Sequence, residues 1–320
     1  MKIAALLLCA LCLAGAAHGQ SYPAKPVKVI VPSGAGGPND TTMRGLAQAL
    51  AEALGQPFVV ENRGGAEGMI GTEACVKSAP DGYTLCSTAI NVVTFTPVLR
   101  SKLPYEPLRD LSPIALQGYL DAAIVVHPSV PAHSIAELVE LAKSKPGTIT
   151  WATFGPNTSS FYYMEWLRLT RGAAFLHVPY KTSAQANTAV VAGEVQVNLH
   201  GAGLVVPLVR SGKLRVLAIT GDKRLAILPE APSFKEAGMD LPVRTWYGLF
   251  GPAGLPKDVV QRLNVETVRI SAQPAFIEKF LTAIGMSPPG NLSPEEFAAF
   301  LKRDRERFTE LAKTLNLQKE

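Results

Sequence analysis

Two periods of apolar residues alternate along this chain. VKVIV at 27–31 and FVVEN at 58–62 are short β-branched runs, as expected of strands in a buried sheet. Between them Met43, Leu46, Ala47, Leu50 and Leu54 recur at helical spacing and Gly55 follows, which predicts a helix and its stop. The exchange continues with a helix through GMIGTEACVKSA, then strands at GYTLCST (82–88), SPIALQG and AAIVVHPS. Ser134 with Glu137 forms a capping box before Ile135, Leu138, Leu141 and Ala142. KPGTITWAT leads into a strand, TSSFYYMEWLRLT reads as a helix and FLHVPY as a strand. VQVNLH (195–200), an apolar helix at 204–210 and LRVLAIT (214–220) follow. Beyond the strand WYGLFGP (246–252) the pattern turns helical, at 256–271 and 274–283. A final helix opens on the capping box Ser293–Glu296 and carries Phe297, Phe300, Leu301 and Phe308 on one face. Such alternation predicts an α/β architecture with mainly parallel sheets.

The first nineteen residues stand apart. Lys2, an apolar run over 3–17 and the small residues Ala17 and Gly19 make a secretory signal peptide, with cleavage expected after Gly19. The run is too short and alanine-rich to span a bilayer, and no later segment is long and apolar enough. Cys9 and Cys12 form C-x-x-C inside the signal and carry no redox role in the mature chain. Export leaves Cys75 and Cys86 free to form a disulfide; two small buried hydrophobes is the other reading. The chain has 31 basic and 26 acidic residues; removing Lys2 leaves 30 against 26, a net +4. No Lys/Arg stripe interleaves with aromatics, which argues against nucleic acid, and KRDRER (302–307) reads as a solvated helix face. A mildly basic exported chain, long enough for two cores, suits capture of small anions.

Enzyme signatures are missing. His127, His133, His177 and His200 have no metal-binding spacing, and no G-x-S-x-G elbow occurs. VPSGAGGPND (31–40) lacks the lysine of a phosphate loop, and Asn39 stands where a dinucleotide motif has its third glycine. No cofactor or metal is expected. Instead, small polar residues gather where strands give way to helices. Ser33, Asn39 and Asp40 lie in the first such loop, and Ser87, Thr88 and Asn91 in the second. Thr153, Asn157, Thr158, Ser159 and Ser160 form the third, and Tyr180, Lys181, Thr182 and Ser183 the fourth. Ligands of open α/β sheets bind beyond such strand ends, where helix N-termini offer free N–H groups. Residues of these types are also ordinary caps and turns.

The blocks YPAKPVKVIVPSGAGGPND, GQPFVVENRGGAEGMIGTE, APDGYTL, LPYEPLRDLSPIAL, HVPYKTSAQA, GKLRVLAIT, LPEAPSFKEAG and WYGLFGPAGLPKDVVQRLN follow one another from Tyr22 onward. In this order the sequence resembles the substrate-binding proteins of tripartite tricarboxylate transporters, the Bug family. The resemblance implies a two-lobed type II periplasmic-binding-protein (Venus-flytrap) fold. One lobe would comprise residues 20–121 and about 225–320, the other 122–224. It also implies a periplasmic, non-catalytic monomer that passes a small organic acid to membrane transporter subunits. A sensory partner, or an exported α/β enzyme, are the competing readings. Carried over by motif, the ligand would lie against 33–40, including Gly34, Ala35 and Gly36, and against 153–160. Ser87, Thr88 and the segment 180–184, ending at Ala184, would also line the cleft. The chain departs from the family pattern at Ser33, usually aromatic, at Phe154–Gly155–Pro156–Asn157, at Phe161, and at Asn198–Leu199–His200–Gly201, usually ending Phe-Asp-Asn. His200 is either a donor to a second carboxylate or hydroxyl, or a loop histidine bonded to backbone. Tyr162, Tyr163 and Trp166 have core-like helical spacing, and His177 reads as structural.

Overall fold

The computed structural model describes residues 22–155, 158–239, 241, 243–317 and 319; the signal segment 1–19 lies outside them. Two sheets form the frame. The first is ordered β11-β4-β10-β3-β1-β2. Its strands are β1 (Val27–Val31), β2 (Phe58–Asn62), β3 (Thr84–Ala89), β4 (Leu111–Leu120), β10 (Thr245–Pro252) and β11 (Met286–Ser287). The second is ordered β7-β6-β8-β5-β9. It comprises β5 (Ala122–Val126), β6 (Thr150–Thr153), β7 (Leu176–Pro179), β8 (Val197–Gly201) and β9 (Arg215–Ile219).

The sheets are mixed rather than mainly parallel. β1 runs parallel to β2 and β3, and β6 parallel to β7 and β8. β10 is antiparallel to β3 and β4, β11 to β4, and β5 to β8 and β9. The cause is the chain's double passage between sheets. β4 runs into β5 with only Asp121 between them, and the chain returns after β9 to enter β10. A strand leaving a sheet and a strand entering it lie side by side in opposite directions.

The helix Pro38–Leu54 begins with proline at its first turn and ends on Gly55 at φ 74°, the left-handed conformation a helix stop favours. Its Met43, Leu46, Ala47 and Leu50 are buried. The helix Met69–Val76 is tied to β3 by Cys75 and Cys86, whose sulfurs are bonded across a Cα separation of 6.0 Å. Of the three apolar clusters, one reaches across both sheets. The rings of Phe95, Tyr162 and Phe308 meet there, with Phe95 4.3 Å from Phe308 and 5.1 Å from Tyr162. Phe308 belongs to the C-terminal helix Pro294–Thr314, so that helix braces the first sheet's side against the helix Ser159–Arg171 of the second.

The two crossings are pinned to each other. Asp121 is fully buried, and Arg244, just before β10, reaches its Oδ1 through Nε at 3.1 Å and Nη2 at 2.9 Å. The Asp121 N–H donates to Gly285 O and its carbonyl accepts from Ala202 N. Ala122 N donates to Thr220 Oγ1 at 2.8 Å.

Candidate functional site

Between the lobes lies a cavity of about 620 Å3. Two helix N-termini from different sheets open onto it. The first follows β1: Ser33, Gly34, Ala35, Gly37, Pro38 and Asn39 line the cavity, and Gly37 caps the helix without any side-chain bond. The leading amides of this helix therefore lack intrahelical acceptors. The second follows β6, where Phe154, Thr158, Ser159 and Ser160 face the same space. The Thr158 hydroxyl accepts from Phe161 N–H and donates to Gly155 O at 2.8 Å; its side chain is used in capping. Ser159 Oγ sits 3.1 Å from Thr245 Oγ1, joining the two lobes across the cleft.

The first loop is held from below. Asp40 is buried and accepts from Gly36 N at 2.8 Å, Arg44 Nε at 3.0 Å and Asn62 Nδ2 at 2.9 Å. Burial alone would raise its carboxyl; the bonds from Arg44, Gly36 and Asn62 outweigh that and hold it below the usual carboxylate range. Asn39 Nδ2 donates to Ser87 O at 2.8 Å, and Ser87 Oγ lies within hydrogen-bond distance of Asn39 Oδ1 and Gln117 Oε1.

Of the loop residues singled out in the sequence, Ser33, Gly34, Ala35, Asn39, Asn91, Thr88, Thr158, Ser159, Ser160 and His200 line the cavity. Asp40 and Ser87 are buried and support the loop from beneath, while Gly36 is exposed, gives its N–H to Asp40 and is not among the lining residues. Thr153 is buried, 2.6 Å from His177 Nε2, and His177 is held below its usual value by burial. Lys181 and Ala184 are exposed, Tyr180 is half-buried against the second lobe's own cluster, and the cavity is lined by other residues. Asn157 and the side chain of Ser183 lie outside the described residues. Tyr162, Tyr163 and Trp166 are buried in packing.

Two segments enter the cavity that sequence reasoning left out. Gly64, Gly65, Glu67 and Gly68 precede the helix Met69–Val76, and Ala66 and Glu67 both hold positive φ, 45° and 57°. Consecutive non-glycine residues in that region are strained and gather at functional sites. The local signal was available, since a glycine-rich turn here joins strand to helix as it does at 33–37. The second is Ile90 and Val92, on either side of the Asn91 already singled out, where the turn after β3 winds into a π-helix, Asn91–Phe95, a form frequent at functional sites. Phe95, Leu120, Leu199, Leu204 and Tyr247 complete an apolar wall, and no lysine or arginine is among the described lining residues. Glu67 lies on the rim, 3.5 Å from Arg100 Nη2.

The family model described as the tripartite tricarboxylate transporter family receptor matches residues 42–317. The chain belongs to this family. Among curated relatives of the receptor, Protein BugT of Bordetella pertussis is 31% identical over 92% of the chain and 91% of BugT. Among solved structures, Rpa4515 of Rhodopseudomonas palustris with adipate superposes at a TM-score of 0.82. It is 28% identical, over 93% of the receptor and 99% of that chain. MatC of the same organism with bound malate gives 0.76 and 28%, over 91% and 99%. The match extends over both lobes, so the two-lobed fold is that of periplasmic binding proteins of this type. Among the described residues no cluster could hold a metal ion, and no helix is long and apolar enough to cross a membrane.

Proposed function

We propose that the chain is a periplasmic receptor that captures an organic acid and delivers it to the membrane subunits of a tripartite tricarboxylate-type transporter, without chemistry of its own. The observation that carries this reading is the pairing of two helix N-termini, at Asn39 and at Ser159–Ser160, on opposite sides of one cavity, the first with its Asp40 carboxylate engaged by Arg44. Amides there favour an anion through their free N–H groups and partial positive charge. A carboxylate bridging both lobes meets all its donors only when the lobes are together, so binding shifts the hinge toward that arrangement. Adipate and malate in the two relatives support a carboxylate.

The cavity narrows the class. With no lysine or arginine in its described lining and with Phe95, Tyr247, Phe154, Leu120 and Leu204 around it, it suits one gripped carboxylate on an apolar chain or ring. A distal polar group would find His200, which is buried in the cleft wall. Ser33, where the family carries an aromatic ring, leaves room for a longer body.

The test is a thermal-shift and calorimetric screen of adipate, benzoate, malate and glucose, since a ligand that binds only the folded state raises its midpoint. Adipate or benzoate should raise it more than malate does. A response to glucose with none to any acid would overturn the reading. Ser159→Ala should weaken the best acid by about 1–3 kcal/mol, the cost of removing one donor to a buried charged group. Unchanged affinity would remove Ser159 from the grip. Cleavage after Gly19 is read by N-terminal sequencing of the exported protein, and transport against sensing by which membrane protein the liganded form retains.

A further inference from the structure

Strand β8 carries two polar side chains into an apolar layer. Val197 and Leu199 belong to the cluster that reaches across both sheets, so Asn198 and His200 face the other way, as alternate strand residues do. There Asn198 lies abreast of Val125 on β5 and Ala152 on β6, both part of the second lobe's own cluster. The helix Ser183–Val191 covers this layer with Ala186, Ala189 and Val190. Asn198 is 1% exposed, and neither its Nδ2 nor its Oδ1 has a hydrogen-bond partner among the described residues. Asn187 Oδ1, on the covering helix, is likewise buried without one.

A buried polar group without a partner is costly, whereas leucine has nearly the same shape as asparagine and carries no such cost. An amide in this layer is therefore matched by a polar group from outside the chain, and a buried water is the smallest that fits. His200 is the next residue on the same face, and it lines the cleft. Side chains two residues apart on a strand stand about 6.6 Å from each other. One water with two hydrogen bonds of about 2.8 Å nearly spans that distance. Buried waters make about three hydrogen bonds, so a water held by Asn198 beside His200 has one left for a group in the cleft.

We propose that Asn198 determines ligand choice: through a buried water beside His200 it makes a polar recess in the second lobe's wall, for a hydroxyl at the end of the ligand away from the gripped carboxylate. The proposal deepens the carboxylate-receptor reading and rests on it. The chemistry of the recess selects a neutral group. The amide is uncharged and the described lining of the cleft holds no lysine or arginine, so a second carboxylate would lose its hydration there without a countercharge. A hydroxyl donates and accepts at once, as the water and the amide do. Asn198 acts through the water and is a positioning residue.

The experiment uses the whole exported chain and two matched pairs of acids, hexanoate with 6-hydroxyhexanoate and benzoate with 4-hydroxybenzoate. Calorimetry should show the hydroxyl tightening binding to the wild type at least tenfold in one pair or both. Asn198→Leu should abolish that preference and keep the unliganded melting midpoint within a few degrees. His200→Phe should abolish it too, and the double variant should lose no more than either single one, because both side chains act on the same group. A role in folding alone predicts a lower midpoint and equal weakening of both acids in a pair. A crystal structure of the unliganded wild type should show an ordered water against Asn198 Nδ2 or Oδ1, a result that depends on no variant. No hydroxyl preference in the wild type, a preference that survives Asn198→Leu, or a dry Asn198 amide would overturn the proposal and leave the receptor reading standing. Failure of all four acids to bind the wild type would instead overturn the receptor reading, and this proposal with it.

Discussion

Replacing Arg244 with methionine should destabilise the folded protein by about 3 kcal/mol at neutral pH, and by much less near pH 4. Removing one partner of a buried ion pair leaves an uncompensated charge, a loss of about 3–5 kcal/mol; the low end applies because Arg244 is one-third exposed, at 34% of its side chain. Asp121 has nowhere to relax to, being fully buried at the first crossing. Burial raises its carboxyl above the ordinary value, while the Arg244 charge and the Ser287 and Arg244 hydrogen bonds pull it back. A raised native value means that the folded chain holds this proton more tightly than the unfolded chain does. The stability it contributes is complete below the unfolded value and is lost as pH climbs through the folded one. Without Arg244 the folded value rises further, so the loss extends toward neutrality. Urea denaturation at pH 7.5 and pH 4 measures both. Adding Asp121→Asn to the variant should recover most of the loss at pH 7.5 by removing the buried charge. An equal loss at the two pH values, or no recovery, would show that the pair matters through packing and not through charge.

The same crossings mark where the sequence stops being informative. Helix periods such as Met43–Leu46–Ala47–Leu50 are visible because a single face is buried, and capping boxes such as Ser293–Glu296 are local. Strand direction is not local. Whether β10 runs with or against β3 depends on where the chain re-enters the sheet, and residue periodicity is the same either way. At the site the difficulty is a matter of one residue. Ser87 lies beneath the first loop and Thr88 lines the cavity; Thr153 points to His177 and Phe154 lines the cavity. Because strand neighbours face opposite sides, a polar pair at a strand end shows that a site is near, without saying which of the two belongs to it. Thr158 looks like a ligand donor in sequence, yet its hydroxyl is taken by the helix it starts. The positive φ of Ala66 and Glu67 is imposed by surroundings, with Gly68 and Gly71 packed on Pro32 and on the Arg63 carbonyl, and no residue type announces it.

Gly203→Val should weaken binding of the best carboxylate by about a hundredfold while lowering the unliganded thermal midpoint by only a few degrees. Gly203 lies at the start of the helix Ala202–Arg210, on the second lobe's side of the first crossing. A Cβ there would stand 2.3 Å from Ile284 C, 2.6 Å from Gly285 N and 2.7 Å from Ile284 O. All three are backbone atoms of the first lobe's side, just before β11, so no side chain can swing away. The contact is bracketed by Ala202 N–H to Asp121 O and Asp121 N–H to Gly285 O, which holds the two backbones together at the point where the lobes meet. Overpacking of this kind costs about 3 kcal/mol or more when the backbone must move, and about 3 kcal/mol is roughly a hundredfold in affinity. In a rigid protein that cost would appear in stability. In a hinged one the empty form escapes it by parting the lobes at Gly203, and the cost falls on the liganded arrangement. Gly203→Ala should behave similarly, because the first carbon already collides. Calorimetric affinities for both variants, beside their unliganded melting curves, separate the two cases. Affinity within threefold of wild type would mean that the lobes bind ligand without closing at this contact. A collapse of the unliganded midpoint would mean that the contact is never opened.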